Sequence, residues 1–211
     1  MDLSRLMIRT FLDEVASDSP APGGGSVAGL EASVGTALGV MVTRLTQGRK
    51  KYEAFAAHAA EAEKKLDTLR VQMLDEMEDD CEAFNRVSAA FALPKGTEEE
   101  KAKRSSAIQE GLKGCTRTPL ELMGLCDEAL SVVESLLGRC NDTCASDLGV
   151  AALSLKAGIQ GAWLNVCINI ASLKDKAFVE ECRKKGEALL AHALPVADKC
   201  YSEVLKASQG A

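Results

Sequence analysis

The run Gly23-Gly24-Gly25-Ser26, set behind Pro20-Ala21-Pro22, exposes main-chain N–H groups with no side chains to screen them. At the start of a helix such a run can cradle an anion or the polar edge of a ring; without a ligand it is a tight interhelical turn. It is not a phosphate loop, because the lysine and the second glycine spacing of that motif are missing. Asp79 and Asp80 are a second candidate. Adjacent carboxylates on a helix point in different directions, so one faces a pocket and the other water. Asp80 falls where a charged helix face gives way to an apolar one, and desolvation there lifts a carboxylate pKa toward a catalytically useful value. A third set comprises Asn141, Asp142 and Asp147 at the entrance of a very apolar helix, and Asn165 and Asn169 within it. Asn165 and Asn169 are four apart and share a face, so their amides meet either one ligand edge or one partner helix. Asp147 reads equally well as a helix N-terminal charge. Arg49, Lys50 and Lys51 either cap a helix end in solvent or receive the carboxylates of an acidic ligand.

Other chemistries are disfavoured. His58 and His192 lie among alanines with no carboxylate at Glu-x-x-His spacing, so neither a di-iron site nor a histidine triad is indicated. The eight cysteines lack clustered histidines and any Cys-x-x-Cys, and Cys140 and Cys144 at i,i+4 make a poor zinc site. No metal or cofactor is therefore expected, and the thiols read as reduced and buried. A net charge of −6 argues against nucleic acid as a partner. Met1 leads straight into an amphipathic pattern (Leu3, Leu6, Met7, Phe11, Val15) in place of a signal peptide, which points to the cytoplasm.

The elements that must position these residues are helical. The 211 residues suffice for one sizeable core, hiding roughly 70% of the unfolded surface, and 4% aromatic content with few prolines favours helix. We expect an all-α, single-domain bundle of long antiparallel helices spanning 1–211. After a first helix through Val15, Ser26 is expected to cap a helix from Val27 to about Gln47. That helix carries the small residues Ala28, Gly29, Ala32, Ser33, Gly35, Thr36, Ala37 and Gly39. Each interior glycine costs roughly 1 kcal/mol against alanine, so close packing must offset them. Glu31 and Arg44 interrupt its apolar run, which argues for a core or subunit-interface helix and against a membrane span. Further helices are expected from Tyr52 to Leu93, from a Thr97/Glu100 capping box to a kink or split at Pro119, and from there to Leu137. The last two run from Leu148 to Leu173 and from Asp175 to Lys206, with a kink at Pro195.

Taken together, several strings resemble the formimidoyltetrahydrofolate cyclodeaminase family, which includes bacterial methenyltetrahydrofolate cyclohydrolases. They are Pro20-Ala-Pro-Gly-Gly-Gly-Ser-Val-Ala28, Met41-Val-x-x-Leu-Thr46 with Gly48-Arg-Lys-Lys-Tyr52, Asp80-x-x-Ala-Phe84 with Pro94-Lys95, Pro119-Leu-Glu121, Asn141 with Ser146-Asp147-x-Gly149, and Asn165-Val-x-Ile-Asn169. The resemblance implies an all-α bundle, a homodimer, and a folate site near the subunit contact, with a tetrahydrofolate as substrate and no further cofactor. It implies that Asp80 and Asp147 are candidates for proton transfer, that Asn141, Asn165 and Asn169 orient the pterin or bridging carbon, and that the Gly23 to Ser26 amides meet a ligand edge. Arg49 or Lys50 would attract the glutamyl tail. The expected reaction is cyclisation of 5-formimidoyltetrahydrofolate to the 5,10-methenyl form with loss of ammonia. The cyclohydrolase reaction is the alternative, and a non-catalytic dimerisation module the third reading.

Overall fold

A computed structural model describes residues 3–209. A 3₁₀ turn (Leu3–Arg5) precedes a short helix α1 (Ile8–Val15), and five long helices follow: α2 (Gly24–Thr46), α3 (Ala56–Phe91), α4 (Glu98–Ser135), α5 (Ala145–Ile170) and α6 (Lys176–Ser208). Among the described residues there is no strand, so the all-α expectation holds. Consecutive long helices pack antiparallel, and α2 also lies against α5. One apolar core, with Leu66, Met73, Met123, Leu130, Leu148, Leu155 and Ile159 fully enclosed, runs through α2 to α6. Leu3 and Phe11 fold the N-terminal segment onto Met77 of α3 as a smaller cluster.

Small residues set the spacing. A Cβ on Gly158 would lie 2.9 Å from Ala32 Cβ and 3.0 Å from the Ala28 carbonyl; one on Gly35 would lie 2.8 Å from the Ala151 carbonyl. The α2 and α5 backbones therefore approach as closely as glycine permits, which offsets the propensity cost of the α2 glycines. By length and composition α2 is apolar enough to cross a membrane, but most of it is enclosed by neighbouring helices.

Helix ends follow local chemistry, with some differences from expectation. Thr97 and Glu100 form the capping box, and Asp175 caps α6 through the Phe178 amide at 3.1 Å. At α2 the boundary residue is Gly23, and Ser26 sits inside the first turn with its hydroxyl turned toward α3. Gly23 is extended at the boundary, and Ser26, already inside the helix, bonds Asp80 in place of capping. Residues Lys50–Phe55 form a 3₁₀ segment, so α3 starts at Ala56 and not at Tyr52.

Helix α4 runs unbroken through Pro119, and α6 through Pro195. Proline at 119 cannot donate to the Cys115 carbonyl. Asn169 Nδ2 of α5 takes that place at 2.8 Å, so the missing helix bond becomes an interhelical one.

Candidate functional site

Asp80 of α3 faces the first turn of α2. Its Oδ2 lies 3.1 Å from Ser26 Oγ, and the Ser26 amide also donates to the carboxylate. Those bonds hold the charge at a helix N-terminus, where the dipole favours it. Burial works the other way and prevails, so the Asp80 pKa is raised above 3.8. A Cβ at Gly25 would overlap this carboxylate, so the glycine here is a condition of the site. The Ser26 hydroxyl has one proton to give. The Met77 carbonyl at 3.3 Å competes with Asp80 for it, and Cys81 Sγ lies at 3.4 Å.

On the other side of the same helix end stands α5. The Asn165 amide is 3.5 Å from where a Cβ on Gly24 would be, and its Nδ2 donates to the Gly161 carbonyl at 2.9 Å. Asn169 gives both Nδ2 protons to main-chain carbonyls, those of Cys115 and Asn165. For Asn169 the partner-helix role is thus realised, and only Oδ1 is left to accept from a ligand. Cys115 of α4 lies close enough to Asp80 that the carboxylate charge helps burial push its thiol up to about 11. Gly23 to Ser26, Asp80, Cys115, Asn165 and Asn169 therefore form one neighbourhood.

The remaining candidates lie elsewhere. Twenty or so residues of α2 separate Gly25 from Thr46, about 30 Å at 1.5 Å per residue. At that far end Asn141 donates Nδ2 to the Leu45 carbonyl at 3.1 Å and its main-chain N–H to Thr46 Oγ1 at 2.9 Å, and its Oδ1 accepts from Thr143. Buried and committed to the α4–α5 connection, Asn141 is a structural fastener and does not reach the Asp80 neighbourhood of its own chain. Asp147 sits in the first turn of α5 at the same end, as do Arg49 and Lys50. Lys51 pairs with Asp142 at 2.5 Å, and Tyr52 Oη accepts the Asp142 amide.

The family model described as formiminotransferase-cyclodeaminase matches residues 7–188, which takes in both ends of the bundle. The chain belongs to this family. It is 43% identical over 197 residues to a protein named methenyltetrahydrofolate cyclohydrolase from Methylorubrum extorquens, covering 93% of this chain and 95% of that one. It is 36% identical over 186 residues to the formimidoyltransferase-cyclodeaminase of Rattus norvegicus, covering 88% of this chain but 34% of that longer protein. The crystal structure of formiminotetrahydrofolate cyclodeaminase from Thermotoga maritima superposes with a TM-score of 0.84 at 28% identity, covering 99% of this chain and 98% of that one.

One group in this family member escaped the reading of the sequence. Glu76, one turn before Asp80, has Oε2 buried without a hydrogen-bond partner. It lines a groove of about 430 Å³ with Gln72, Asp75, Leu120, Glu121 and Lys185. Burial first, then the nearby charges of Glu121, Asp79, Asp75 and Asp80, push its pKa up to about 8. The available signal was the stripe Leu69, Met73, Met77, whose edge Glu76 occupies. The eight cysteines are all unpaired, and His192 Nδ1 meets Asp127 at 2.5 Å across α4 and α6.

Proposed function

We propose that this protein is a one-carbon folate enzyme acting at the carbon that bridges N5 and N10 of tetrahydrofolate, with Asp80 as proton carrier. The observation that carries this reading is the Asp80 carboxylate, partly buried under the side-chain-free turn of α2 and flanked by Asn165. In cyclodeamination, N10 attacks the carbon of the protonated formimidoyl group (–CH=NH2+) while Asp80 accepts the N10 proton. The same proton then goes to the departing nitrogen, the carbon–nitrogen bond breaks, and ammonia leaves the 5,10-methenyl cation. In the cyclohydrolase direction, water adds to the methenyl carbon and gives a proton to Asp80. The N5–carbon bond then breaks as Asp80 passes that proton to N5 and the adduct's hydroxyl proton goes to solvent, leaving 10-formyltetrahydrofolate. In both, a carboxylate beside the bridging carbon stabilises positive charge on it. The whole-length 43% match weighs toward the cyclohydrolase reaction.

The Gly24 and Gly25 turn offers its edge to the pterin, Asn165 orients it, and Asn169 Oδ1 accepts from it. Asp147, Arg49, Lys50 and Asn141 come near such a site only from a second subunit. Apolar residues recur at helical spacing on the exposed sides of α2 (Val34, Met41, Leu45) and α5 (Val150, Leu153, Leu164, Ile168), with Leu164 and Ile168 each 70% exposed. A two-fold axis perpendicular to these helices would turn one copy end for end against the other, so that the basic end bearing Arg49 and Lys50 meets the acidic end bearing Glu78 and Asp79. Such a homodimer would bring the two groups of candidate residues into a shared site.

The test mixes pure protein with 5-formimidoyltetrahydrofolate and, separately, with 5,10-methenyltetrahydrofolate while following the methenyl absorbance. A rising band with ammonia release marks cyclodeamination, and faster loss of the band in the second mixture marks hydrolysis. No effect in either overturns the enzyme reading and leaves the dimerisation module.

A further inference from the structure

Ser26 carries the one polar side chain in the first turn of α2, and it is completely enclosed. Its hydroxyl meets three groups of α3, spread over little more than one turn: Asp80 Oδ2 at 3.1 Å, the Met77 carbonyl at 3.3 Å and Cys81 Sγ at 3.4 Å. A hydroxyl donates one proton and accepts on two lone pairs. Two oxygens therefore compete for a single hydrogen, and the charge on Asp80 decides between them.

Cys81 is a neighbour that the proton chemistry described above leaves unused. Burial, helped by the charges of Asp80 and Glu78, raises its pKa above the ordinary 9.0, so the thiol keeps its proton. Both oxygens facing Ser26 accept better than a thiol sulfur does. The Ser26 hydrogen goes to one of them, which leaves the Cys81 S–H to donate to Ser26 Oγ. With Asp80 ionised, the bonds run one way, from Cys81 to Ser26 and from Ser26 to Asp80. Each polarises the next, and the last is charge-assisted because it ends on a carboxylate.

Once Asp80 has taken a proton, its oxygen no longer holds the Ser26 hydrogen against a main-chain carbonyl, and the hydroxyl turns to Met77. Only a hydrogen moves, and Ser26 has an acceptor in both states, so neither carries the penalty of an unsatisfied buried donor. The carboxylate itself stays where the bare Gly25 backbone admits it. The other ionisable groups near Asp80 are Glu76 and Asp79 on its own helix and Cys115 on α4, with Arg86 acting on that thiol. Helix α5 presents the neutral Asn165. We infer that Ser26, backed by the Cys81 thiol, is a two-position hydrogen-bond switch that holds the Asp80 carboxylate in one place through both halves of the proton transfer. Ser26 and Cys81 are positioning residues that act through Asp80. This rests on the reading of Asp80 as proton carrier and adds the device that keeps it poised.

The experiment follows the Asp80 side-chain carboxyl carbon by NMR across pH, assigned with Asp80→Asn, beside pH profiles of kcat and KM. The proteins compared are the wild type, Ser26→Ala, Cys81→Ala and Cys81→Ser. In Ser26→Ala the Asp80 midpoint is expected to rise by about one unit, a tenfold gain in proton affinity. The acidic limb of kcat/KM should rise with it, while KM on the plateau changes less than twofold. Cys81→Ala should shift the midpoint the same way by less, and Cys81→Ser, which restores a donor, should leave it at the wild-type value. Alanine is the better helix former at position 26, and the Cys81 variants test the same chain of bonds independently. An unmoved midpoint in Ser26→Ala overturns the switch, as does a loss confined to KM. Equal shifts in Cys81→Ala and Cys81→Ser overturn the part given to the thiol. Wild-type inactivity on both folates overturns the folate reading instead, whereas the NMR midpoints need no substrate and still decide whether Ser26 governs Asp80.

Discussion

Glu76 and Asp80 lie one turn apart on α3, and their surroundings separate two carboxylates of similar intrinsic acidity. Asp80 is drawn toward the charged form by Ser26 and a helix end and pushed toward the neutral form by burial. We expect Asp80→Asn to keep the fold, because the amide oxygen still accepts from Ser26, and to lower kcat by about 10²- to 10⁴-fold. The acidic limb of the wild-type rate profile should lie above 3.8, the ordinary value for the side chain. Glu76 has no compensating donor. Its folded-state pKa of about 8 against an ordinary 4.5 means that the folded protein holds the proton more tightly than the unfolded chain. The stability this gives is complete below the ordinary value and is lost as pH rises toward 8. In Glu76→Gln the melting temperature should therefore gain on the wild type progressively between pH 4.5 and 8, by about 2–4 °C or more at the upper end. A gain independent of pH would contradict the assignment.

The helices obey rules that can be read in one dimension, and the exceptions occur where another helix intervenes. The capping box at Thr97, the apolar stripes and the glycine turn were legible because each depends on neighbours in sequence. The continuity of α4 through Pro119 was not, since the donor that replaces the lost bond is Asn169, fifty residues away on α5. The bonds of Asn141 were hidden for a related reason: an Asn before a helix suits a ligand or a cap equally well, and its partners Leu45 and Thr46 lie at the end of α2, far away in sequence. The Asp80 to Ser26 pairing was readable as two separate candidates but not as one contact. At the α2–α5 seam we expect Gly158→Ala to lower stability by about 1–3 kcal/mol, because the new methyl meets backbone that cannot give way. That exceeds the gain of about 1 kcal/mol in helix propensity. Gly114→Ala in α4, where nothing lies within 4 Å, should instead raise the melting temperature. Thermal scans of the two variants distinguish packing from propensity.

At the scale of the molecule, the candidate polar residues fall at the two ends of the bundle, and the exposed apolar rows of α2 and α5 run between them. For the homodimer proposed above, sedimentation should show a dimer in the wild type and a monomer in Leu164→Glu/Ile168→Glu, with helical content retained. An unchanged mass would remove the second subunit from the site. The pairing of α2 with α5 also bears on how the protein comes into being. Successive antiparallel helices are joined by short connections and can form early, whereas Gly24 meets Asn165 only after most of the chain between them has been placed. Contacts of such wide separation are slow to close. On dilution from denaturant, helical signal should thus return in an earlier phase than folate binding. The pocket would be the last part of the chain to mature, assembled by the same seam that later keeps it rigid.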